Sequence, residues 1–524
     1  MAKRDTSRDG FSNKLETFVL THFRPLWMWL NRSKRLGDWV NGKIIDRAVK
    51  KTKCRPFQFS TLSPYTSWHS LTDRSWSGRH LPPKSQTGLP PVADVTKLFQ
   101  RKPDIGGTLS KKSTLLFASF AQWFTDSFLM TADQNRRKNY SNHQIDLNPL
   151  YGLNRDVTLQ LRYRSEEAGR KGRLKSELIG GEEYALRLLM PGSVDRKPEF
   201  SLLPLPLRLN ADWPSGKSET VFAFGGDRAN ATPVTAALNT LFLREHNRIA
   251  GILEKNHPSW DDDRVFETTR NVLIVLLIKI VIEEYINHIS PYWFRLRANP
   301  RAAWNTSWNK PNWIAAEFNL LYRWHGLIPD TLAWDGKKIP IDQTFLDNGL
   351  LLKAGLGQML QNASRQEAGK LGLFNSTPSL LTVERDSIQQ GRDNELASYN
   401  DYREAMAYPR ATRFEQISGD PDVVAGLRRV YGDDIEKVEF FVGLFAEEAH
   451  PRAVVPSLIG RMVAIDAFSQ ALTNPLLSER IFNEETFTAE GMAIIAETKG
   501  LKDVVDRNVP GGAGNLFISM NQQI

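Results

Sequence analysis

Residues 317–327 read EFNLLYRWHGL, a short apolar and aromatic run that sets Tyr322 three residues before His325. At 3.6 residues per turn, positions i and i+3 are surface neighbours, so a helix here would turn a phenol and an imidazole into one space. Two satisfied core side chains would leave the same pattern, since Tyr and His are both common at intermediate burial. The alternative gives the imidazole a partner. One histidine can hold a haem iron from its proximal side, and a phenol one turn away is then within reach of oxidation.

Of 524 residues, 41% are hydrophobic and 24% charged, an ordinary globular composition with enough apolar material for a large core. A single cysteine, Cys54, excludes an internal disulfide and a thiolate metal cluster. The start, MAKRDTSRDGFSNK, has no apolar core of signal-peptide type. The most apolar run, VLIVLLIKIVI at 272–282, is too short to cross a bilayer and is interrupted by Lys279, so it reads as a buried core helix.

Charge is unevenly placed. Residues 1–55 hold 14 Lys or Arg against 5 Asp or Glu, a net of +9 that equals the excess of the whole chain. Within 15–53, Phe18, Phe23, Trp27, Trp29, Trp39 and several aliphatics are interspersed with these cations, with Pro25 and Gly37 as break points. Short amphipathic helices of this kind lie in one bilayer leaflet, apolar side chains inserted and Lys and Arg at the head groups. Nucleic acid is the rival partner for a basic segment, but three tryptophans beside aliphatics favour a membrane, and an ordinary packed hairpin is a third reading.

The stretch from 60 to 107 is rich in Ser, Thr, Pro and Gly (HLPPKSQTGLPP at 80–91) and reads as an irregular arm. From about 108 onward helical periodicity dominates, as in STLLFASFAQWFTDSFLM, TPVTAALNTLFLREHNRIAGILEKN and AEGMAIIAETKG. No HExxH, Walker loop or strand-linked GxGxxG is present, and FAFGGDRAN at 222–230 lacks the phosphate-cradle pattern. None of the nine histidines pairs at zinc-ligand spacing. A bound metal would therefore rest mainly on one imidazole, which again points to haem.

Several segments together resemble the animal haem peroxidase superfamily, and within it the cyclooxygenase branch. FASFAQWFTDSFLMT (117–131) is similar to the distal haem helix, IDLNPLYG (145–152) to the segment after it, and LFLREHNRIAGIL (241–253) to a superfamily signature. KIVIEEYINHISPY (279–292) resembles a channel-lining helix, EFNLLYRWHGLIPD the helix of catalytic tyrosine and proximal histidine, and YNDYREAM and AEEAHPRAVV…TNPLL continue in order. The resemblance implies that His325 is the proximal ligand of a non-covalent haem b, with Gln122 on the distal side. It also implies that Tyr322, oxidised to a radical through the haem, abstracts hydrogen from a polyunsaturated fatty acid to which O2 then adds. A rigid element would fix the short separation that such electron transfer needs.

By the same resemblance Tyr292 stands at a channel mouth, Tyr285 contacts the catalytic tyrosine, and Ile286, Phe318, Leu321, Val463 and Ala467 line the substrate channel. The mouth tyrosine works with an arginine of the last membrane helix; Arg47 is the candidate, with Lys50 and Arg55 as rivals and a head-group-facing cation as the alternative for each.

Departures from the family pattern carry their own expectations. The distal histidine, one turn after Gln122, is replaced by Asp126, and no histidine occurs in 81–142. A carboxylate can shuttle the same proton only if burial raises its pKa from near 4, so peroxidase turnover is expected to be weak or acid-shifted. Ala467 stands at the position of the serine acetylated by aspirin, with Ser469 on a different helix face. Val463 replaces a channel glycine, which would crowd the pocket and disfavour endoperoxide closure. Phe441 replaces the tyrosine that hydrogen-bonds the proximal imidazole, removing that support.

The expectation is a mainly α haem peroxidase fold of cyclooxygenase/myeloperoxidase type with N-terminal amphipathic membrane-binding helices. Residues 1–72 form the membrane segment, 73–107 the connecting arm and 108–524 the haem-binding catalytic domain. The expected function is a monotopic, cytoplasmic-side, haem-dependent fatty-acid dioxygenase. A peroxidase or α-dioxygenase-like oxygenase, or a membrane-associated haem or redox protein with little turnover, are the alternatives. No nucleic-acid partner is expected; family analogy alone makes a homodimer possible, and the sequence does not reveal the oligomeric state.

Overall fold

The computed structural model describes residues 11–50, 68, 72–102, 107–207, 209–210, 213, 215–311, 313–512 and 514–522. It is mainly helical, with three isolated two-stranded antiparallel ribbons. Three N-terminal helices come first, α1 (Phe11–Thr21), α2 (Arg24–Arg32) and α3 (Lys34–Lys50). Pro25 opens α2 at a position where its missing N–H costs nothing.

Gly37, expected as a break, instead lies inside α3. A Cβ there would sit 2.9 Å from both Arg297 Nη1 and the Leu30 carbonyl oxygen, so this glycine serves a close approach between helix and body. The helix packs against 301–304 and the helix at 457–472.

Strand β1 (Leu109–Thr114) leads into α4 (Leu115–Thr125), whose N-cap Thr114 accepts from the Phe117 N–H. After the ribbon of β2 (Ser176–Ile179) and β3 (Glu182–Ala185) come the two long core helices, α5 (Pro233–Asn256) and α6 (Asp262–Ile280). Thr232 and Asp261 cap them, each accepting from a backbone N–H three residues on. The apolar run at 272–282 is buried in α6 and continues into a π-helical turn, Val281–Ile286. Among the described residues no helix is long and apolar enough to cross a membrane.

Then follow α7 (Ala316–Leu321), the ribbon of β4 (Thr331–Trp334) and β5 (Lys337–Pro340), and β6 (Glu367–Gly369), which pairs with β1. The helices α8 (Leu381–Asp393), α9 (Ser457–Leu472) and α10 (Glu484–Glu497) complete the elements needed here. Helix α5 packs on α4 and α6, α6 on α10, and α7 on both α8 and α9. The middle of the body is thus a set of helices closing around the end of α7.

Candidate functional site

The helix bearing Tyr322 stops before it reaches His325. Helix α7 ends at Leu321, Tyr322 is its C-cap at φ −104°, ψ 14°, and His325 opens a separate 3₁₀ turn, His325–Leu327. The expectation that one helix carries both rings is corrected. Burial is the reason: Trp324 is 5% exposed, sits 5.1 Å from the Tyr322 ring and 6.2 Å from Tyr285, and its indole N–H donates to the Leu321 carbonyl. A helix would have left that carbonyl to a backbone donor and swung the indole elsewhere; the side chain caps the helix end instead.

Both rings nevertheless face one cavity, of about 1490 Å³ of empty space including its open mouth. Helix α4 contributes Leu115, Ala118 and Gln122, and its C-cap Asp126; the break after α7 contributes Tyr322, Trp324, His325 and Leu327; Val383 of α8 adds an apolar edge. Gln122 and Asp126 are one turn apart, the Asp126 N–H donating to the Gln122 carbonyl at 3.1 Å, so the expected pair does share a face.

Two cations that the sequence did not flag join them, Arg228 and Arg323. Arg228 Nη1 lies 3.9 Å from Asp126 and 3.9 Å from Asp227. Burial pushes the Asp126 carboxyl up to about 7, with Arg228 pulling against it. Arg323 is pulled down to about 10, by burial first and then by Arg228. Its Nη2 donates to Asn319 Oδ1 at 2.7 Å.

The glycines of FAFGGDRAN explain how Arg228 arrives there. A Cβ on Gly225 would stand 1.9 Å from the Gly152 nitrogen and 2.6 Å from the Asn148 carbonyl oxygen. The pair lets two backbones cross in contact, and Arg228, two residues on, reaches the cavity.

The Tyr322 ring is enclosed by Phe318 at 5.0 Å, Phe124 at 6.1 Å and Phe128 at 6.4 Å. Burial, and secondarily Asp466, raise its pKa far above that of a free phenol, so the group stays protonated. Tyr285 is fully buried, and burial first and then Tyr322 raise its pKa well above that of a free phenol, but neither phenol O–H has a hydrogen-bond partner among the described residues.

The other expected channel residues are all buried around α7: Ile286 at the π-turn, Phe318 and Leu321 on α7, and Val463 and Ala467 on α9. Ser469 is buried too, but donates to the Asp466 carbonyl.

At the expected mouth, the Arg47 side chain is 61% exposed and, among the described residues, forms an ion pair with Glu16 at 3.8 Å. Lys50 pairs with Asp46, and Arg55 lies outside the described residues. Tyr292 instead feels Arg461 from α9, whose guanidinium carbon is 5.5 Å from the Tyr408 ring centre. Glu16, Tyr292 and Tyr408 all raise the Arg461 pKa against its burial. Arg461 is thus the more enclosed cation at this point, and no motif in the sequence marked it.

The residues fit a haem. Among the described residues no group of three His, Cys, Asp or Glu could hold a metal ion, so the single imidazole suits a metal whose other ligands come from a macrocycle. The cavity joins apolar walls to two guanidinium groups able to meet carboxylates, and the His325 imidazole opens onto the same space.

Known proteins agree with that chemistry. The profile described as "Animal haem peroxidase" matches residues 125–517. Prostaglandin G/H synthase 2 of Oryctolagus cuniculus is 32% identical over 514 residues, 94% of this chain and 80% of that one. Prostaglandin G/H synthase 1 of Rattus norvegicus is 29% identical, over 97% and 85% of the two chains. Fatty acid alpha-dioxygenase of Oryza sativa superposes with a TM-score of 0.66 at 19% identity, over 96% and 94%. Peroxidase A of Dictyostelium discoideum does so at 0.64 and 16% identity, over 91% and 99%. At such identities the two structures share the fold. The profile and the relative at 32% identity reach further, and the chain belongs to the animal haem peroxidase family.

Proposed function

We propose that the chain is a haem-dependent oxygenase of polyunsaturated fatty acids, initiated by a radical on Tyr322. The observation that carries the reading is the shared cavity. Tyr322, His325, Gln122 and Asp126 face one space, while the Tyr322 ring is enclosed by the apolar side chains an acyl tail would need. The relatives named as prostaglandin G/H synthases support the substrate class.

His325 would hold the iron, and Arg228 and Arg323 are placed to meet the haem's carboxylates or a polarised peroxide. A bound haem supplies the oxidising power that a hydroperoxide brings to it. Asp126, neutral below about pH 7, holds the proton that the departing peroxide oxygen needs, and Gln122 orients that oxygen.

Tyr322 stays protonated until its electron would pass to a bound haem that a hydroperoxide has oxidised, its proton leaving at the same time into the shared cavity. The phenoxyl then takes one hydrogen atom from a bis-allylic carbon, which restores its O–H bond and leaves a carbon radical to combine with O2. Packing around Phe318, Leu321 and Ile286 excludes water from that step. Arg461 with Tyr292 would hold the carboxylate end, in place of Arg47.

Lipid entry fits the N-terminal helices. Phe18, Phe23, Leu26, Trp29, Leu36 and Trp39 are exposed on α1–α3, beside Tyr292 and Glu16, as a surface seated in one leaflet requires.

The test is oxygen uptake by haem-loaded protein with linoleic and arachidonic acids and a trace of hydroperoxide, beside Tyr322→Phe. Uptake lost in the variant supports the reading; uptake that persists or never appears refutes it. Oxygen inserted next to the carboxylate, as the name alpha-dioxygenase describes for the rice protein, would replace it with that regiochemistry.

A further inference from the structure

His325 has a neighbour that the sequence did not offer. Glu384, in the first turn of α8, puts its Oε1 3.2 Å from His325 Nδ1. Its side chain is 2% exposed, and the preceding Val383 lines the haem cavity. The same Oε1 accepts from the Ser376 hydroxyl, and Arg323 lies close enough to feel the carboxylate.

The imidazole N–H is not aimed squarely at the oxygen, so Nδ1 and Glu384 Oε2 both lack a hydrogen-bond partner among the described residues. A small rotation of the ring turns the Nδ1 N–H onto Glu384 Oε1, 3.2 Å away, and so pairs a buried donor that is costly to leave alone. Phe441 cannot do the job, because its ring is stacked 5.1 Å from Phe99 and edge-on 5.1 Å from Phe445 and carries no polar atom.

We propose that Glu384 is the positioning residue of the proximal imidazole: it accepts the Nδ1 proton, leaves Nε2 as the iron-facing nitrogen, and gives the ring imidazolate character. A carboxylate behind a ligating histidine fixes its tautomer and raises its basicity. A more basic ligand stabilises ferric over ferrous iron, so the carboxylate sets the potential from the far side of the ring. The inference rests on His325 being the iron ligand proposed above.

The experiment uses full-length haem-loaded protein and two readouts that need no turnover: the Fe–His stretch of the ferrous form by resonance Raman, and the ferric/ferrous midpoint potential. Glu384→Gln keeps shape and one acceptor but removes the charge. Its stretch should move to lower frequency and its midpoint upward by at least about 59 mV, a tenfold change in the ferric/ferrous preference. Ser376→Ala frees Glu384 Oε1 from its competing donor, so it should move both readouts the opposite way.

Opposite shifts in the two variants establish the role, because general damage to the pocket would move both alike. Unmoved readouts, or shifts of the same sign, overturn it; if Glu384→Gln takes up no haem, Ser376→Ala decides alone. Absence of any Fe–His stretch in the unaltered protein would overturn the ligand assignment itself, and the role of Glu384 with it.

Discussion

Replacing Arg228 by Gln should move the pH profile of peroxide cleavage towards alkali. Asp126 is the group concerned. Burial raises its carboxyl to about 7, and Arg228, 3.9 Å away, already opposes that rise. At an effective dielectric near 20, two unit charges at that distance attract by about 4 kcal/mol. Asp227 shares the same guanidinium, and the Arg228 side chain is 27% exposed, so the share felt by Asp126 is nearer about 2 kcal/mol, or roughly one to two pH units.

The sign follows from which form is active. The neutral carboxyl donates to the departing oxygen, so the rate is present below about pH 7 and lost as pH rises through it. Without Arg228 the carboxyl holds its proton longer, and the midpoint climbs to about 8–9. Stopped-flow haem absorbance with a hydroperoxide, taken from pH 5 to 10, reads this directly. Asp126→Asn serves as the reference: its rate should fall by about 10² to 10⁴ and lose the ionisation altogether. A midpoint in Arg228→Gln at or below that of the unaltered protein would refute the coupling, and an undiminished rate in Asp126→Asn would remove Asp126 from the chemistry.

Three further outcomes are expected. Arg461→Gln should raise the KM for fatty acid roughly 10- to 150-fold, the worth of a charge-assisted hydrogen bond of about 1.5–3 kcal/mol, with little change in kcat; an unchanged KM beside a raised one in Arg47→Gln would return the carboxylate to Arg47. Replacing Trp29 and Trp39 together by Ser, at sites 57% and 64% exposed, should weaken sedimentation with anionic vesicles at least tenfold while leaving haem loading intact. Gly225→Ala drives a methyl into the backbone of 148–152, so thermal unfolding should show a loss of about 3 kcal/mol or more; a fully stable variant would mean the two segments do not cross as closely as the structure has them.

What could be read from the sequence was local. The spacing of Gln122 and Asp126 put both on one helical face because four residues make one turn, whatever the surrounding protein does. The helices at 233–256 and 262–280 announced themselves by apolar period, and Pro25 marked the break at which α2 begins; the caps at Thr232 and Asp261 were seen only in the structure. The proximity of Tyr322 and His325 was legible too, since three residues cannot carry them far apart.

How that proximity is achieved was settled only by packing. Burying Trp324 against Phe117 and Tyr285 broke the helix at Leu321, a choice made by rings contributed from other elements. Arg228, Glu384 and Arg461 reach their places from 102, 59 and 169 residues away from Asp126, His325 and Tyr292 in the chain, and no local period relates such positions. The Gly225–Gly226 pair reads as a loop until the strand of chain it must clear is in view. The same holds for the raised carboxyl of Asp126: residue type fixes its ordinary pKa near 4, whereas desolvation and the distance to Arg228, which move it to about 7, exist only once the chain has folded around them.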